Sequence, residues 1–203
     1  MLALKKVAIT GGVSSGKSSV CRLLAERGAY QVSSDTIIHH LLSDNSPCIK
    51  QVVELLGARV LTDGKIDRKK VADIVFTNQD KLNALEAILH PCLLREIDQI
   101  YNRVNKEQKY AFFVVEIPLV QEIGKESAFD FIVTVVCDEA ISKSRWKQAG
   151  FSEDSYNKRM QRQWPTAKKA HHAHFTLTNN GTYEDLTSQV IKLIAFLTTA
   201  NEE

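Results

Sequence analysis

Eight consecutive residues near the start of the chain have the types and spacing that hold the phosphates of a nucleotide. They match G-x-x-x-x-G-K-[ST] in full and are called the phosphate loop below: Gly11, Gly12, Val13, Ser14, Ser15, Gly16, Lys17 and Ser18. Glycines let backbone N–H groups approach phosphate oxygens, and the positive end of a following helix adds to the cradle. In this pattern Lys17 reaches the β- and γ-phosphates and the Ser18 hydroxyl binds Mg²⁺. The motif predicts nucleotide binding, but not which reaction follows.

Two carboxylates come at or just after segments that have strand composition. Asp35 follows residues 30–33, and Glu116 ends residues 111–116. At the carboxyl end of a parallel strand, a carboxylate can orient or deprotonate an attacking hydroxyl or hold a metal. The alternatives are an N-cap for Asp35 and a solvent-facing strand end for Glu116. The residues by themselves leave both interpretations open.

The segment 143–169 is strongly basic, with Glu153 and Asp154 as its acids. Mobile cations neutralise the charge on a transferring phosphoryl group, and a lid that closes over it excludes water. The alternative is a solvated helix face. The histidines at 171, 172 and 174 lack carboxylate or cysteine partners at ligand spacing, which favours a structural role over a metal site.

Composition excludes several classes of protein. The chain has 203 residues, 44% hydrophobic residues and a formal net charge of +2, so no global field favours nucleic acid or a membrane surface. No segment has the length of a membrane span, and no signal peptide is recognisable. These features predict a cytoplasmic protein. The four cysteines, at 21, 48, 92 and 137, are widely spread, which predicts free thiols.

Strand-like and helix-like segments alternate along the chain. The predicted strands lie at 7–10, 30–33, 111–117, 131–137 and 174–178. Residues 182–185 have the spacing of a capping box, which predicts the start of the last helix. Residues 46–104 are predicted to be almost entirely helical, with one helix ending at His90-Pro91 and another beginning there. Strands separated by helices predict an α/β fold of the P-loop NTPase type, with a parallel sheet flanked by helices. We expect three parts: a nucleotide-binding core (1–45, 108–138 and 170–203), a helical substrate-binding insertion (46–107) and a basic helical lid (139–169).

Several short motifs, in this order, resemble those of the dephospho-CoA kinase family over nearly the whole chain. Thr10 and the phosphate loop resemble T-G-G-I-x-S-G-K-S/T, and residues 33–35 stand in place of D-A-D. The further matches are G-K-I-D-R at 64–68, L-E-A-I-L-H-P at 85–91, I-P-L at 117–119 with Glu122, Arg159 with Gln163, and N-N-G at 179–181. The sequence departs from the family pattern in four places. Ser33 and Glu116 replace aspartates, residues 145–150 do not keep the usual arginine spacing, and Ala173-His174 replaces an alanine–aspartate pair.

The resemblance implies roles for individual residues. Asp35 is the expected catalytic carboxylate. The lid is expected to supply a catalytic cation, which is Arg145, Lys147 or Arg159. Of these three, Arg145 and Arg159 are taken as the catalytic candidates. The expected ATP-binding residues are those of the phosphate loop together with Ser19, Asn179, Asn180 and Gly181. The expected substrate-binding residues are Thr10, Asp35, Arg68, His90, Pro91, Pro118 and Leu119.

The resemblance therefore implies ATP-dependent phosphorylation of the ribose 3′-hydroxyl of dephospho-CoA, the final step of coenzyme A biosynthesis. ATP and dephospho-CoA are the expected partners, Mg²⁺ is the expected cofactor, and the chain is expected to be a monomer or small homo-oligomer. Another P-loop small-molecule kinase, acting on a nucleoside or nucleotide, is the alternative. A GTP-binding switch would show D-x-x-G and N-K-x-D, and neither occurs in the sequence. A non-catalytic nucleotide-binding scaffold is disfavoured because Lys17 and Asp35 are both present.

Overall fold

The structure, a computed structural model, describes residues 4–43 and 46–200. The described residues divide into two compact units. One contains the residues up to Val32 and those from Val104 onward, and the other is Ser33–Arg103. The three-part division expected from the sequence stays a prediction.

The first unit is built on a five-stranded sheet. Its strands, in spatial order, are β2 (Tyr30–Ser33), β5 (Phe112–Glu116), β1 (Lys5–Gly11), β6 (Phe131–Val136) and β7 (Phe175–Thr178). β1 pairs in parallel with β5 and with β6, and β6 pairs in parallel with β7. All seven residues of β1 are buried, as expected for a central strand covered on both faces. The predicted α/β fold with a parallel sheet is confirmed.

One face of this sheet packs against the helices α1 (Lys17–Ala25) and α9 (Tyr183–Thr199). Alternate residues of the central strands point toward these helices because the side-chain period of a strand is two. Val7, Ile9, Val133 and Val135 accordingly join one apolar cluster with the buried leucines and valines of α1 and α9. This cluster fixes α1 directly after β1 and so holds the phosphate loop between two buried elements.

The intervening residues of the same strands, such as Thr10 and Thr134, point to the opposite face, where the short helix α8 (Thr166–His171) packs on β6 and β1. Two further helices, α6 (Glu139–Gln148) and α7 (Glu153–Met160), precede α8 and make up the rest of the basic segment. The basic segment is therefore divided among three helices, where the sequence suggested one helical stretch.

The last helix, α9, begins with the capping box that the sequence predicted. Thr182 accepts a hydrogen bond from the Asp185 backbone N–H, and the Asp185 carboxylate accepts one from the Thr182 N–H. The hydrogen bonds that the Asp185 carboxylate accepts from the Thr182 N–H and from the Thr182 hydroxyl lower its pKa. The cap holds the turn that joins β7 to α9, where residues 179–181 lie.

The second unit is mainly helical, with one short hairpin. Its elements are α2 (Ser34–Ser43), α3 (Pro47–Leu56), β3 (Leu61–Thr62), β4 (Lys65–Ile66), α4 (Arg68–Val75) and the part of α5 (Gln79–Glu107) that precedes Val104. A 3₁₀ turn, Ala58–Val60, precedes β3. The antiparallel pair β3–β4 corrects the expectation of a purely helical segment, because strands of two residues are too short to produce a period-two pattern.

The long helix α5 continues through Pro91, where two separate helices were predicted. Proline removes one backbone hydrogen bond and usually breaks or kinks a helix. Leu89 on one side, and Cys92 and Leu93 on the other, are all buried. Apolar burial on both sides of Pro91 thus holds the chain helical across it.

Cys48 and Cys92 form a disulfide that joins α3 to α5, with 7.0 Å between their Cα atoms. The prediction of four free thiols is therefore wrong for this pair, although Cys21 and Cys137 are free. The two cysteines are 44 positions apart, and the packing of α3 and α5 in one apolar cluster brings them together. The spacing of the two cysteines in the sequence does not indicate that α3 and α5 pack together.

Among the described residues, no helix combines the length and apolarity that crossing a bilayer requires. Those residues also contain no cluster of three metal-ligating side chains. His174, at the start of β7, accepts a hydrogen bond from the Ile132 N–H at Nδ1, 2.9 Å away, which is a structural role.

Candidate active site

The phosphate loop begins at the carboxyl end of β1 and runs into α1. Lys17 is buried, and its Nζ donates hydrogen bonds to the carbonyl oxygens of Gly11, at 3.1 Å, and Gly12, at 2.6 Å. The buried Ser15 hydroxyl has no hydrogen-bond partner among the described residues. A buried polar atom without a partner is costly, which makes the Ser15 hydroxyl a candidate to bind a ligand oxygen.

At two positions of the loop, neighbouring atoms leave no space for a side chain, so only glycine fits. A Cβ atom on Gly11 would lie 2.1 Å from the carbonyl oxygen of Val135 on β6, and one on Gly16 would lie 2.1 Å from Asn179 Nδ2. Both glycines also have positive φ, at 140° and 99°. No other residue type fits at these two positions without moving the loop away from β6 or from Asn179.

The turn after β7 contacts the loop directly. Asn179 is buried, and its Nδ2 donates to the carbonyl oxygen of Ser15 at 2.8 Å. Asn180 Oδ1 accepts a hydrogen bond from the Asp138 N–H at 2.8 Å, which ties the same turn to the end of β6. The predicted ATP-binding residues of this turn and of the phosphate loop are therefore adjacent.

A cavity of about 240 Å³ lies between this turn and the start of α1. Gly16 and Ser19 line one side, Asn179 and Gly181 another, and Arg145 of α6 reaches it as well. Arg145 Nη2 lies 3.5 Å from Asn179 Oδ1, while its buried Nη1 has no partner among the described residues. A guanidinium group in this position can donate to an acceptor or stack on an aromatic ring in the cavity.

The end of β5 places a carboxylate beside the loop. The Ser18 hydroxyl donates to Glu116 Oε1 at 2.8 Å. Burial raises the pKa of the nearby Cys21 thiol, and the negative charge of Glu116 adds to that rise. Of the two interpretations left open for Glu116, the structure supports a position within the site.

A second cavity, of about 230 Å³, separates the loop from the lid helices. Gly12 and Val13 line it on the loop side, and Tyr156 and Met160 of α7 line it on the lid side. Val13 also packs in one cluster with Trp146, Tyr156 and Met160. The loop and the lid therefore share an apolar contact, beside a space that is open to a ligand.

The second candidate cation, Arg159, lies on the surface of α7. Its guanidinium carbon is 5.3 Å from the centre of the Trp146 ring, a distance typical of a cation–π contact. Arg159 and Arg145 thus occupy different surroundings, the one over an aromatic ring and the other at the cavity beside Asn179.

Beneath the loop, on the face of the sheet that carries α8, lies a polar cluster that the sequence did not reveal. The buried Thr10 hydroxyl donates to the Pro118 carbonyl oxygen at 2.9 Å and accepts from Lys169 Nζ at 3.2 Å. Lys169 also pairs with Glu122 at 2.8 Å. The sequence marked Lys169 only as one of several basic residues. Leu119 follows Pro118 and is half-buried.

The remaining predicted substrate residues belong to the second unit. Asp35 lies in the first turn of α2, exposed, while Ser33 Oγ accepts the capping hydrogen bond from the Thr36 N–H at 3.4 Å. Ser33, and not Asp35, therefore caps α2. Within the described residues, the Asp35 carboxylate accepts no hydrogen bond and forms no ion pair.

Arg68 is the first residue of α4 and is exposed. Asp67 caps this helix, and hydrogen bonds from the Lys70 N–H and the Thr62 hydroxyl lower its pKa. His90 is half-buried, and Pro91 is exposed on α5. The structure thus presents Arg68 and Pro91 to solvent from well-fixed helices.

Comparison with known proteins agrees with this arrangement. The sequence model of the family described as dephospho-CoA kinase matches residues 5–185. A dephospho-CoA kinase of Protochlamydia amoebophila is 44% identical over 195 residues, covering 95% of this chain and 96% of the relative. One of Chlamydia abortus is 42% identical over 191 residues, covering 94% and 95%.

A solved structure of dephospho-CoA kinase from Campylobacter jejuni superposes with a TM-score of 0.71 at 26% identity. That superposition covers 97% of this chain and 98% of the other. The fold and nearly the whole length of the sequence therefore agree with one family. The resemblance drawn from the short motifs is confirmed, and this chain belongs to the dephospho-CoA kinase family.

Proposed function

We propose that this protein transfers the γ-phosphoryl group of ATP to the ribose 3′-hydroxyl of dephospho-CoA, which gives coenzyme A. The family supports both the reaction and its two substrates. The observation that carries the proposal is the intact phosphate loop. Asn179 holds this loop through a hydrogen bond to Ser15, and Ser18, at the start of α1, contacts Glu116. Phosphoryl transfer depends on positioning and charge stabilisation, and this site has groups for both.

ATP binds with its phosphates on the phosphate loop, where Lys17 and the backbone N–H groups face the phosphate oxygens. Its base occupies the cavity lined by Ser19, Asn179 and Gly181, with Arg145 against it. The unpartnered Nη1 of Arg145 supports this role.

Replacing Arg145 by alanine is expected to raise the KM for ATP about tenfold, since a desolvated cation–π contact contributes about 1–2 kcal/mol. The KM for dephospho-CoA should change little, because Arg145 lines the cavity assigned to the base of ATP and is not among the residues assigned to dephospho-CoA. Initial rates at varied ATP give the result. Lys158→Ala, which removes an exposed cation paired with Asp154 on α7, is the matched control. A lower kcat with an unchanged KM for ATP would instead assign Arg145 to the transferring phosphoryl group.

The donor atoms of Ser18 and Glu116 suit a hard divalent cation. A hydroxyl and a carboxylate oxygen are the protein ligands that Mg²⁺ uses together with phosphate oxygens and water. Ser18 is placed to bind Mg²⁺ directly, and Glu116 orients the Ser18 hydroxyl from 2.8 Å away. Bound Mg²⁺ would neutralise charge on the β- and γ-phosphates.

For Glu116→Gln, we expect the Mg²⁺ concentration at half-maximal rate to rise about 10–100-fold, the usual effect of removing an outer-shell carboxylate. Glutamine keeps the size of the side chain and its acceptor oxygen but removes the charge. The measurement is a Mg²⁺ titration at fixed ATP. If the rate recovers at high Mg²⁺, the variant binds the metal more weakly but is folded. A damaged fold would leave the rate low at every Mg²⁺ concentration. An unaltered Mg²⁺ requirement would contradict the role given to Glu116.

The family motifs assign seven residues to dephospho-CoA: Thr10, Asp35, Arg68, His90, Pro91, Pro118 and Leu119. Asp35 orients the 3′-hydroxyl and accepts its proton as the oxygen attacks the γ-phosphorus. Lys17 and Arg159 stabilise the charge on the transferring group, and closure of the lid keeps water from acting as the acceptor.

The test of the function is an assay that couples ADP release to a spectroscopic signal, with dephospho-CoA, adenosine and nucleoside monophosphates compared as acceptors. Turnover with dephospho-CoA far above the others is the expected result. Turnover with another acceptor alone would establish the alternative, a kinase of nucleosides or nucleotides.

A cytoplasmic location and a monomeric or small homo-oligomeric state, with no nucleic acid or membrane partner, complete the proposal. The near-neutral net charge of +2 supports the absence of a nucleic acid partner.

A further inference from the structure

Lys169 is a fully buried lysine to which the proposed reaction gives no role. Its side chain has 0% exposure. Its Nζ lies 2.7 Å from the Pro118 carbonyl oxygen, 3.2 Å from Thr10 Oγ1 and 2.8 Å from Glu122 Oε1. One cation is therefore surrounded by oxygens from the end of β1 and from the segment that follows β5.

The backbone of the same residue contacts two further groups. The Lys169 carbonyl oxygen accepts hydrogen bonds from Gln121 Nε2, at 3.0 Å, and from Thr134 Oγ1 on β6, at 3.3 Å. Through its side chain and its carbonyl group, Lys169 joins α8 to β1, to β6 and to the segment that follows β5.

These strand ends carry the phosphoryl-transfer site. Thr10 immediately precedes the phosphate loop, and Pro118 lies two residues beyond Glu116, which accepts the Ser18 hydrogen bond. A shift of Lys169 would thus move the start of the loop relative to the carboxylate beside it.

The partner of Lys169 also contacts the segment that ends the lid. Glu122 Oε1 accepts a hydrogen bond from the Trp164 N–H at 2.7 Å, between α7 and α8. Two residues later, the Thr166 hydroxyl lies 3.5 Å from the position that a Cβ atom on Gly12 would take. Residues 164–166 lead from α7 to α8 and are called the return of the lid below. The Lys169–Glu122 pair therefore holds the return of the lid against the phosphate loop.

Stability alone is a weak reason for burying this ion pair. Desolvation of two charges offsets much of their attraction, and an apolar pair of similar volume is often equally stable. Burial lowers the pKa of Lys169, while the hydrogen bond and charge of Glu122 oppose that change. A directional network with five defined contacts gives a fixed geometry that an apolar pair would not.

We propose that Lys169, paired with Glu122, is a positioning residue for phosphoryl transfer. It sets the spacing of the phosphate loop, the end of β5 and the return of the lid, so that lid closure aligns the γ-phosphoryl group with the acceptor. The inference rests on the proposed kinase activity. It assigns Lys169 an effect on the transition state rather than on the binding of either substrate.

The experiment compares Lys169→Met, Lys169→Arg and the double variant Lys169→Met with Glu122→Gln, which leaves no buried charge unpaired. We expect kcat to fall on the order of 10–100-fold in both methionine variants, as for small misplacements of reacting groups. The KM for ATP should change less than about threefold. The KM for dephospho-CoA, whose assigned residues include Thr10 and Pro118, should change less than kcat does. Arginine keeps the charge and the hydrogen-bond donors, so Lys169→Arg should retain a higher kcat than either of the two methionine variants. Lys168→Met is the matched control, because Lys168 is exposed and its Nζ lies over the Trp164 ring.

Rates are divided by the concentration of folded active sites, obtained from the stoichiometry with which a non-hydrolysable ATP analogue binds, and thermal unfolding is measured for each variant. If the double variant has the wild-type kcat per folded site and only a lower Tm, Lys169 is merely structural and the proposal is overturned. If kcat falls while the fold is intact, the proposal holds. The assay uses whichever acceptor supports wild-type turnover, so inactivity toward dephospho-CoA overturns the proposed function and still leaves the Lys169 variants to be measured.

Discussion

Asp35→Asn is expected to lower kcat about 10²–10⁴-fold, the range that a positioned general base contributes. Asparagine is nearly isosteric with aspartate but cannot accept a proton at neutral pH. The residue is exposed in the first turn of α2, and within the described residues its carboxylate is not engaged in any hydrogen bond or ion pair. The capping role belongs to Ser33, so the loss of charge at Asp35 should leave the helix intact. Single-turnover phosphorylation at saturating ATP and dephospho-CoA measures the chemical step directly.

The matched control for this change is Asp73→Asn, which removes one exposed carboxylate from α4 of the same unit. Its kcat should equal that of the wild type. The KM values of Asp35→Asn should stay close to the wild-type values, because the asparagine can still orient the hydroxyl. A kcat for Asp35→Asn equal to that of the control would show that another group accepts the proton.

The features that the sequence predicted correctly are local ones. The phosphate loop is a contiguous motif, and buried strands such as β1 and β6 are short apolar runs between turn signals. The capping box of α9 is likewise contained within four residues. Each of these depends on neighbours in the chain, so a single sequence contains the information needed to find it.

The helical segment between residues 46 and 104 was predicted less accurately because long-range packing decides its details. Burial of Leu89, Cys92 and Leu93 keeps α5 helical through Pro91 against the local preference of proline. In the β3–β4 hairpin, Asp63-Gly64 was the signal that could have been used, since Asp-Gly is a common two-residue hairpin turn. The two strands, with two residues each, were too short to show the period-two pattern that identifies a strand.

The site shows the same division between local and distant information. Asn179 was expected near the nucleotide, and the structure places it against the carbonyl oxygen of Ser15. The Lys169–Glu122 pair was not expected, because its partners are 47 positions apart and lysine is usually exposed. One clue was available: Glu122 belonged to a family motif without any assigned partner, and a buried carboxylate requires one.

The second large effect is expected for Lys17→Met, which should lower kcat about 10²–10³-fold, as for the loss of one preorganised donor to a transition-state oxygen. The buried Nζ of Lys17 now donates to the carbonyl oxygens of Gly11 and Gly12, so it is held inside the loop where the phosphates bind. Methionine has similar length and apolar surface but no charge. During transfer, charge spreads over the equatorial oxygens of the γ-phosphoryl group and develops on the leaving phosphate oxygen. Because Lys17 faces those oxygens, kcat should fall more than affinity for ATP. Rapid-quench measurement of the first turnover, with calorimetry of a non-hydrolysable ATP analogue, separates these two quantities.

Lys192→Met, on the exposed side of α9, removes a lysine in the same unit and should retain wild-type kcat and nucleotide affinity. Comparison with it corrects for any general effect of charge. Thermal unfolding of Lys17→Met is also needed, since the two loop carbonyl groups lose their donor. If nucleotide affinity falls as far as kcat/KM while kcat is unchanged, Lys17 binds ATP equally in the ground and transition states. That result would assign stabilisation of the transferring phosphoryl group to the proposed lid cation Arg159 and to the Mg²⁺ proposed to bind at Ser18.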